Sequence, residues 1–156
     1  MEVIVVITVA SLVVGALTFA TISSLRNAQF SKNQTQSTKL AQAGLEAVRN
    51  IRSKDGTVTF TYAGGTTAKF SDLWAIPGGM NSSCSPCYFK LDHNNLTLTG
   101  VTAVTFETLP GNLERQVQIW DKASSASVEK TISVIVRWSD FAGTHQSQLT
   151  SILRKI

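Results

Sequence analysis

The sequence predicts an α+β fold, in which one long N-terminal helix packs on an antiparallel β-sheet. Three observations predict it. Residues 3–54 contain no proline and no glycine pair, and their apolar positions recur at helical steps. After Gly56 the apolar residues alternate with polar ones at a period of two, as in half-buried strands. The apolar halves of those strands need a cover, and residues 40–51 carry the one amphipathic face available to supply it.

Residues 3–25 (VIVVITVASLVVGALTFATISSL) run between Glu2 and Arg26 without a charged side chain. A bilayer core about 30 Å thick takes about 20 helical residues at about 1.5 Å each. The run is therefore long enough to span a membrane. A cleaved secretory signal and a buried core helix are the competing readings. A signal has an apolar region of about 7–15 residues behind a basic start, whereas here the start is acidic and the run longer. Arg26, Lys32 and Lys39 follow the span, so the positive-inside rule, taken literally, puts the larger C-terminal part in the cytoplasm.

Residues 26–54 continue the helix in amphipathic form. Leu40, Ala41, Leu45, Val48 and Ile51 make an apolar face, and Lys39, Glu46, Arg49, Asn50 and Lys54 lie opposite. Residues 31–38 (SKNQTQST) are polar all round, so the helix there depends on neighbours or frays. Lys54-Asp55-Gly56 reads as a stop, with glycine free to take a positive φ. The expected helix has about 50 residues and is about 75–80 Å long.

The sheet is expected over residues 55–156. Residues 57–63 alternate Val58, Phe60 and Tyr62 with threonines, and Gly64-Gly65 makes a turn. Residues 71–86 are irregular. Short strands at 88–92 and 96–99 join through His93-Asn94-Asn95. Residues 102–108 read as another strand, and Pro110-Gly111-Asn112 as a strong turn. Residues 115–120 place Val117 and Ile119 on one face. The strongest strand signal is 131–138, with Ile132, Val134, Val136 and Trp138 on one side; residues 140–144 then close a hairpin onto 146–153. Leu45 and Val48 are expected to bury against Val134, Val136 and Trp138.

Composition narrows function. The chain has 156 residues and a formal charge of +4, and 43% of it is hydrophobic, which excludes disorder as a whole. Only 15% is charged, against about 25% in a soluble domain, and the deficit falls in the apolar run. Two cysteines and two histidines leave little material for a metal site. No serine sits in a nucleophile motif, and His93 and His145 read as solvated polar residues. No catalytic residue, metal or cofactor is expected. Asn33, Asn81 and Asn95 match the N-glycosylation pattern, but such matches arise by chance in a chain rich in Asn, Ser and Thr.

Cys84-Ser85-Pro86-Cys87 is the one motif able to carry chemistry. As a redox pair it would need a thiolate activated at a helix N-terminus. Here it lies between a Gly/Pro/Ser-rich loop and a strand, with no βαβ pattern, and a structural disulfide in an exported loop is the expectation. Redox, metal and free-thiol readings are the alternatives. Residues 26–54 hold six basic side chains and one acid, a charge that suits anionic lipid, acidic neighbours or, less well without interleaved aromatics, nucleic acid.

The helix, apolar first and amphipathic second, with a sheet after it, resembles a type IV pilin or pseudopilin of the minor kind. The likeness covers nearly the whole chain. Met1-Glu2-Val3-Ile4-Val5-Val6-Ile7 resembles the segment just after the prepilin peptidase site, where a lone glutamate heads an apolar run. Residues 40–52 (LAQAGLEAVRNIR) are similar to the second helical half of minor pilins, and Arg115, Trp138 and Leu149 to their C-terminal arrangement. Met1 stands directly before Glu2, where that family carries a glycine and a basic leader. A leader ahead of this segment would hold the N-terminus in the cytoplasm and place the sheet domain outside.

The resemblance implies a structural, non-catalytic subunit of a type IV pilus or type II secretion-like filament, held in the cytoplasmic membrane before assembly. Its partners would be other pilin subunits, met through the N-terminal helix and Glu2, and the assembly machinery. A membrane-anchored thiol-disulfide protein using Cys84 and Cys87 and a single-pass envelope binding protein are the rival expectations.

Overall fold

A computed structural model describes residues 2–60, 66–76, 80, 84–92, 94–101, 104–122 and 128–155. Tyr62, Ala63, the Gly64-Gly65 turn, Asn81, His93 and Thr102 lie outside the described residues. The architecture is α+β: a helix, α1 (Glu2–Ser53), and a mixed sheet of eight described strands. The chain divides into two compact units, Met1–Thr35 and Gln36–Ile156.

The first unit is helical from Glu2 onward. Its residues from Val3 to Leu25 are exposed, with Val3, Leu12 and Phe19 at 70%, 70% and 76%. Beyond them, the Thr35 hydroxyl donates back to the Ser31 carbonyl at 2.9 Å.

In the second unit the strands are β1 (Thr57–Phe60), β2 (Thr66–Lys69), β3 (Cys87–Asp92), β4 (Thr97–Val101), β5 (Glu107–Leu109), β6 (Leu113–Asp121), β7 (Glu129–Asp140) and β8 (Gly143–Arg154). They order as β2-β1-β4-β3-β6-β7-β8, with β5 paired to β6. The sheet is not purely antiparallel as expected. β1 runs parallel to β4, pairing Val58 with Leu98, and a 3₁₀ turn (Phe70–Trp74) follows β2. That turn falls mostly within the stretch expected to be irregular, 71–86, and β2 lies in residues 66–69, to which the sequence assigns no element. Residues 104–106 are likewise not strand: the Thr105 carbonyl accepts from Gln116 Nε2 at 3.0 Å, and Phe106 lies under the Arg137 guanidinium, 3.6 Å from its ring centre.

The helix face that meets the sheet is centred on Ser37, Ala41, Gly44, Val48 and Ile51, all buried, with Ala47 beside them. Leu40 and Leu45 flank that stripe and are only partly buried. The expectation that Leu45 is buried is therefore corrected. The cause is residue size: small side chains let the helix backbone approach the strands. At Gly44 an added Cβ would stand 2.9 Å from Val134 Cγ1 and 3.3 Å from Arg115 Cδ. Opposite, Val48, Val134 and Val136 are fully enclosed and Trp138 nearly so. The polar stretch entering this unit is helical too, with Ser37 buried and the Thr38 and Ser147 hydroxyls 3.2 Å apart.

Gly44→Leu should destabilise the second unit by about 1–3 kcal/mol through overpacking. Lys39→Ala, on the exposed side, should change stability by under about 0.5 kcal/mol. Thermal melting of the full chain in detergent, followed by near-ultraviolet circular dichroism, decides this. Equal melting temperatures for the two variants would refute the packing.

The helix ends as the stop signal requires, but with the roles of two residues exchanged. Asp55, not Gly56, takes the positive φ, at 47°. Gly56 N–H donates to the Ile51 carbonyl at 2.7 Å and Asp55 N–H to the Arg52 carbonyl at 3.1 Å, the paired bonds of a Schellman cap. Asp55 tolerates the left-handed region because its carboxylate accepts from Ser71 N–H at 2.8 Å. Gly56 is needed for closeness: a Cβ there would press within 3.3 Å of the Leu96 carbonyl.

Candidate functional site

The apolar face of the first unit is the clearest functional feature. Its helix is long and apolar enough to cross a membrane, with an 18-residue window of mean hydropathy 2.6 and nothing covering that window. A signal sequence meets the same test of length and composition. The polar side chains within it are satisfied locally. Thr8, Ser11, Thr18 and Thr21 each donate a hydroxyl to the carbonyl four residues earlier, at 2.8 Å. In hydrocarbon, where no water can serve an orphan group, that arrangement is what a spanning helix requires. Glu2 occupies the first turn, where a negative charge complements the positive end of the helix dipole. It is exposed.

Cys84 and Cys87 are joined as a disulfide, with Cα atoms 4.9 Å apart. Cys87 is buried at the start of β3, opposite Ile119 of β6. Cys84 is followed by a bend and then by that strand, not by a helix, so the helix-dipole activation of a redox thiol is missing here. Among the described residues no three His, Cys, Asp or Glu side chains come together as metal ligands. Intact mass after alkylation without reductant should show neither Cys84 nor Cys87 modified. Replacing both with Ser should cost less than about 3 kcal/mol, because the closed ring is very short. Two alkylated thiols in unreduced protein would overturn the pairing.

The sequence reading missed the charged side chains built into the sheet. Asp121 of β6 and Lys130 of β7 pair directly across the ladder. Their side chains form an ion pair and are 1% and 2% exposed. Glu129 is flanked by Lys122 Nζ at 2.9 Å and Arg154 Nε at 2.7 Å. The hydrogen bonds from Lys122 and then Arg154 hold its carboxyl below the ordinary glutamate value of 4.5, against the effect of burial. Arg115 is buried and donates to Glu107 Oε2 at 2.9 Å and to the Leu91 carbonyl at 3.4 Å. One signal for these pairs was present. Arg115, Asp121 and Lys130 have the same strand parity as Val117, Ile119 and Ile132, so alternation alone places them on the covered face.

His145 is not a freely solvated residue. Its ring stacks on Trp138, with centres 5.5 Å apart, and Nε2 lies 3.1 Å from Asp140 Oδ1. Partial burial works to raise the Asp140 carboxyl, but the Ala142 N–H and His145 prevail and hold it below its ordinary value. These contacts tie the β7–β8 hairpin together and form no nucleophile–base arrangement. Comparison with protein-family models, with curated proteins and with solved structures returns no match for this chain.

Proposed function

We propose that the chain is a structural subunit of a type IV pilus or type II secretion-like filament, a minor pilin or pseudopilin without catalytic activity. It would be held by residues 3–25 in the cytoplasmic membrane before assembly, with the sheet outside the cytoplasm. The observation that carries this reading is the division of labour along α1. Its first half exposes an unbroken apolar surface, and its second half is the core helix of a sheet domain. A plain membrane anchor needs only about 20 residues and no continuation into the domain it holds. A helix serving both roles suits a subunit that leaves lipid and lays the same apolar surface against identical helices. The disulfide, set at a strand start, supports an exported domain.

The test is fractionation of the source cells. The chain should be recovered in sheared surface or periplasmic filaments together with a more abundant subunit, and it should stay in the membrane when the assembly ATPase is deleted. Recovery from membranes alone in both strains would overturn the reading and favour a single-pass envelope protein.

A further inference from the structure

At the C-terminal end of α1 a cavity of about 230 Å³ opens between Arg52, Asp55, Phe70, Ser71, Trp74 and Lys155, all in the second unit. The filament reading gives it no role. Its apolar wall is a pair of aromatic rings. The Phe70 and Trp74 ring centres are 5.8 Å apart at 55°, and the Trp74 indole N–H donates to the Val128 carbonyl at 3.2 Å. The ring's polar edge is therefore already satisfied. Its anionic wall is also satisfied: Asp55 accepts from Ser71 N–H and Oγ at 2.8 and 3.2 Å, and Lys69 Nζ lies 3.9 Å away.

The remaining wall is cationic and incompletely matched. Arg52 donates from Nη2 to the Arg154 carbonyl, but its Nε is closed to solvent and has no acceptor. That nitrogen presents no surface to the cavity, so Arg52 meets a ligand there through the rest of its side chain. Among the described residues neither Arg52 nor Lys155 has a carboxylate at ion-pair distance. A planar guanidinium beside an ammonium suits a carboxylate. The volume is below the range of about 300–1,000 Å³ usual for drug-sized ligands, which leaves room for one ring on a short arm.

We propose that this cavity binds a small aromatic carboxylic acid as its anion, the ring against Phe70 and Trp74 and the carboxylate between Arg52 and Lys155. The test uses the full chain in neutral detergent micelles and three probes: phenylacetate, phenylacetamide, which lacks the charge, and acetate, which lacks the ring. The readout is the indole N–H resonance of Trp74, identified by its loss in Trp74→Phe. Phenylacetate should shift it saturably with a Kd of about 1 mM or lower, and each of the other probes should bind at least about tenfold more weakly.

Arg52→Gln and Lys155→Met should each weaken phenylacetate by a comparable factor. Lys155→Met keeps the backbone bond from residue 155 to the Val128 carbonyl, so it reports on charge even if Arg52→Gln disturbs the chain end. A resonance unmoved at about 20 mM phenylacetate, where a 1 mM site would be nearly saturated, overturns the site. So does phenylacetamide binding as tightly as phenylacetate, or unchanged binding in Lys155→Met.

Discussion

Replacing Lys130 by Met should lower the unfolding free energy by about 3–5 kcal/mol, the cost of leaving a buried charge without its partner. Lys130 and Asp121 face each other on β7 and β6, and both side chains are almost fully enclosed. Methionine keeps most of the lysine's length and apolar stem but removes the ammonium. The Asp121 carboxylate, only 1% exposed, would then keep its burial and lose the ammonium opposite it. The double variant Asp121→Leu/Lys130→Met should be closer to the parent than Lys130→Met is, because desolvating two ions offsets most of their attraction. Urea unfolding of the full chain in detergent, with the parent slope retained, measures all three differences. A loss under about 1 kcal/mol for Lys130→Met would place the pair among solvated surface bridges.

That pair also marks where reading the sequence stopped short. Local signals were legible. A proline-free start and a Lys-Asp-Gly stop delimited the helix to within a residue of Glu2–Ser53, apolar residues on one face located β6 and β7, and the turn at 140–144 located β8. Pairing between distant segments was not legible. Nothing in residues 57–60 announces that they will lie parallel to β4, since which distant strand a segment pairs with is not written in its own alternation.

The face of α1 was legible at Ala41, Val48 and Ile51, all buried, whereas Leu45 packs on the core only partly buried and Gly44, which a pattern of large apolar residues passes over, sits hard against Val134. Strand parity puts Arg115, Asp121 and Lys130 inside, but their charge gives no hint of the ion pairs that make burial tolerable. Of the functional features, the apolar run and the cysteine pair were visible because each is local. The cavity beside Arg52 was not, because its walls come from the helix end, the 3₁₀ turn and residue 155.

Glu2→Leu should reduce incorporation into filaments by at least about tenfold while leaving membrane insertion intact or improved. An acidic side chain at the bilayer centre is disfavoured by about 2.5–3.5 kcal/mol and by less near an interface, so removing it can only help insertion. From Val3 to Leu25 there is no Lys or Arg to neutralise it. In the filament reading, the neutralising group is the terminal amine of a neighbouring subunit, which meets Glu2 as the apolar helices bundle.

Removing one partner of a charge pair shielded from water leaves the other charge uncompensated, at a cost of about 2–5 kcal/mol, which exceeds the 1.4 kcal/mol that corresponds to a factor of ten and sets the minimum loss. The measurement compares parent and variant chain in membrane and sheared-filament fractions at matched expression. Glu2→Gln separates charge from shape, since it keeps the side-chain length and should fail nearly as badly as Leu. If either variant enters filaments as well as the parent, Glu2 is an interfacial residue with its head in water, and the filament reading rests on the layout of α1 alone.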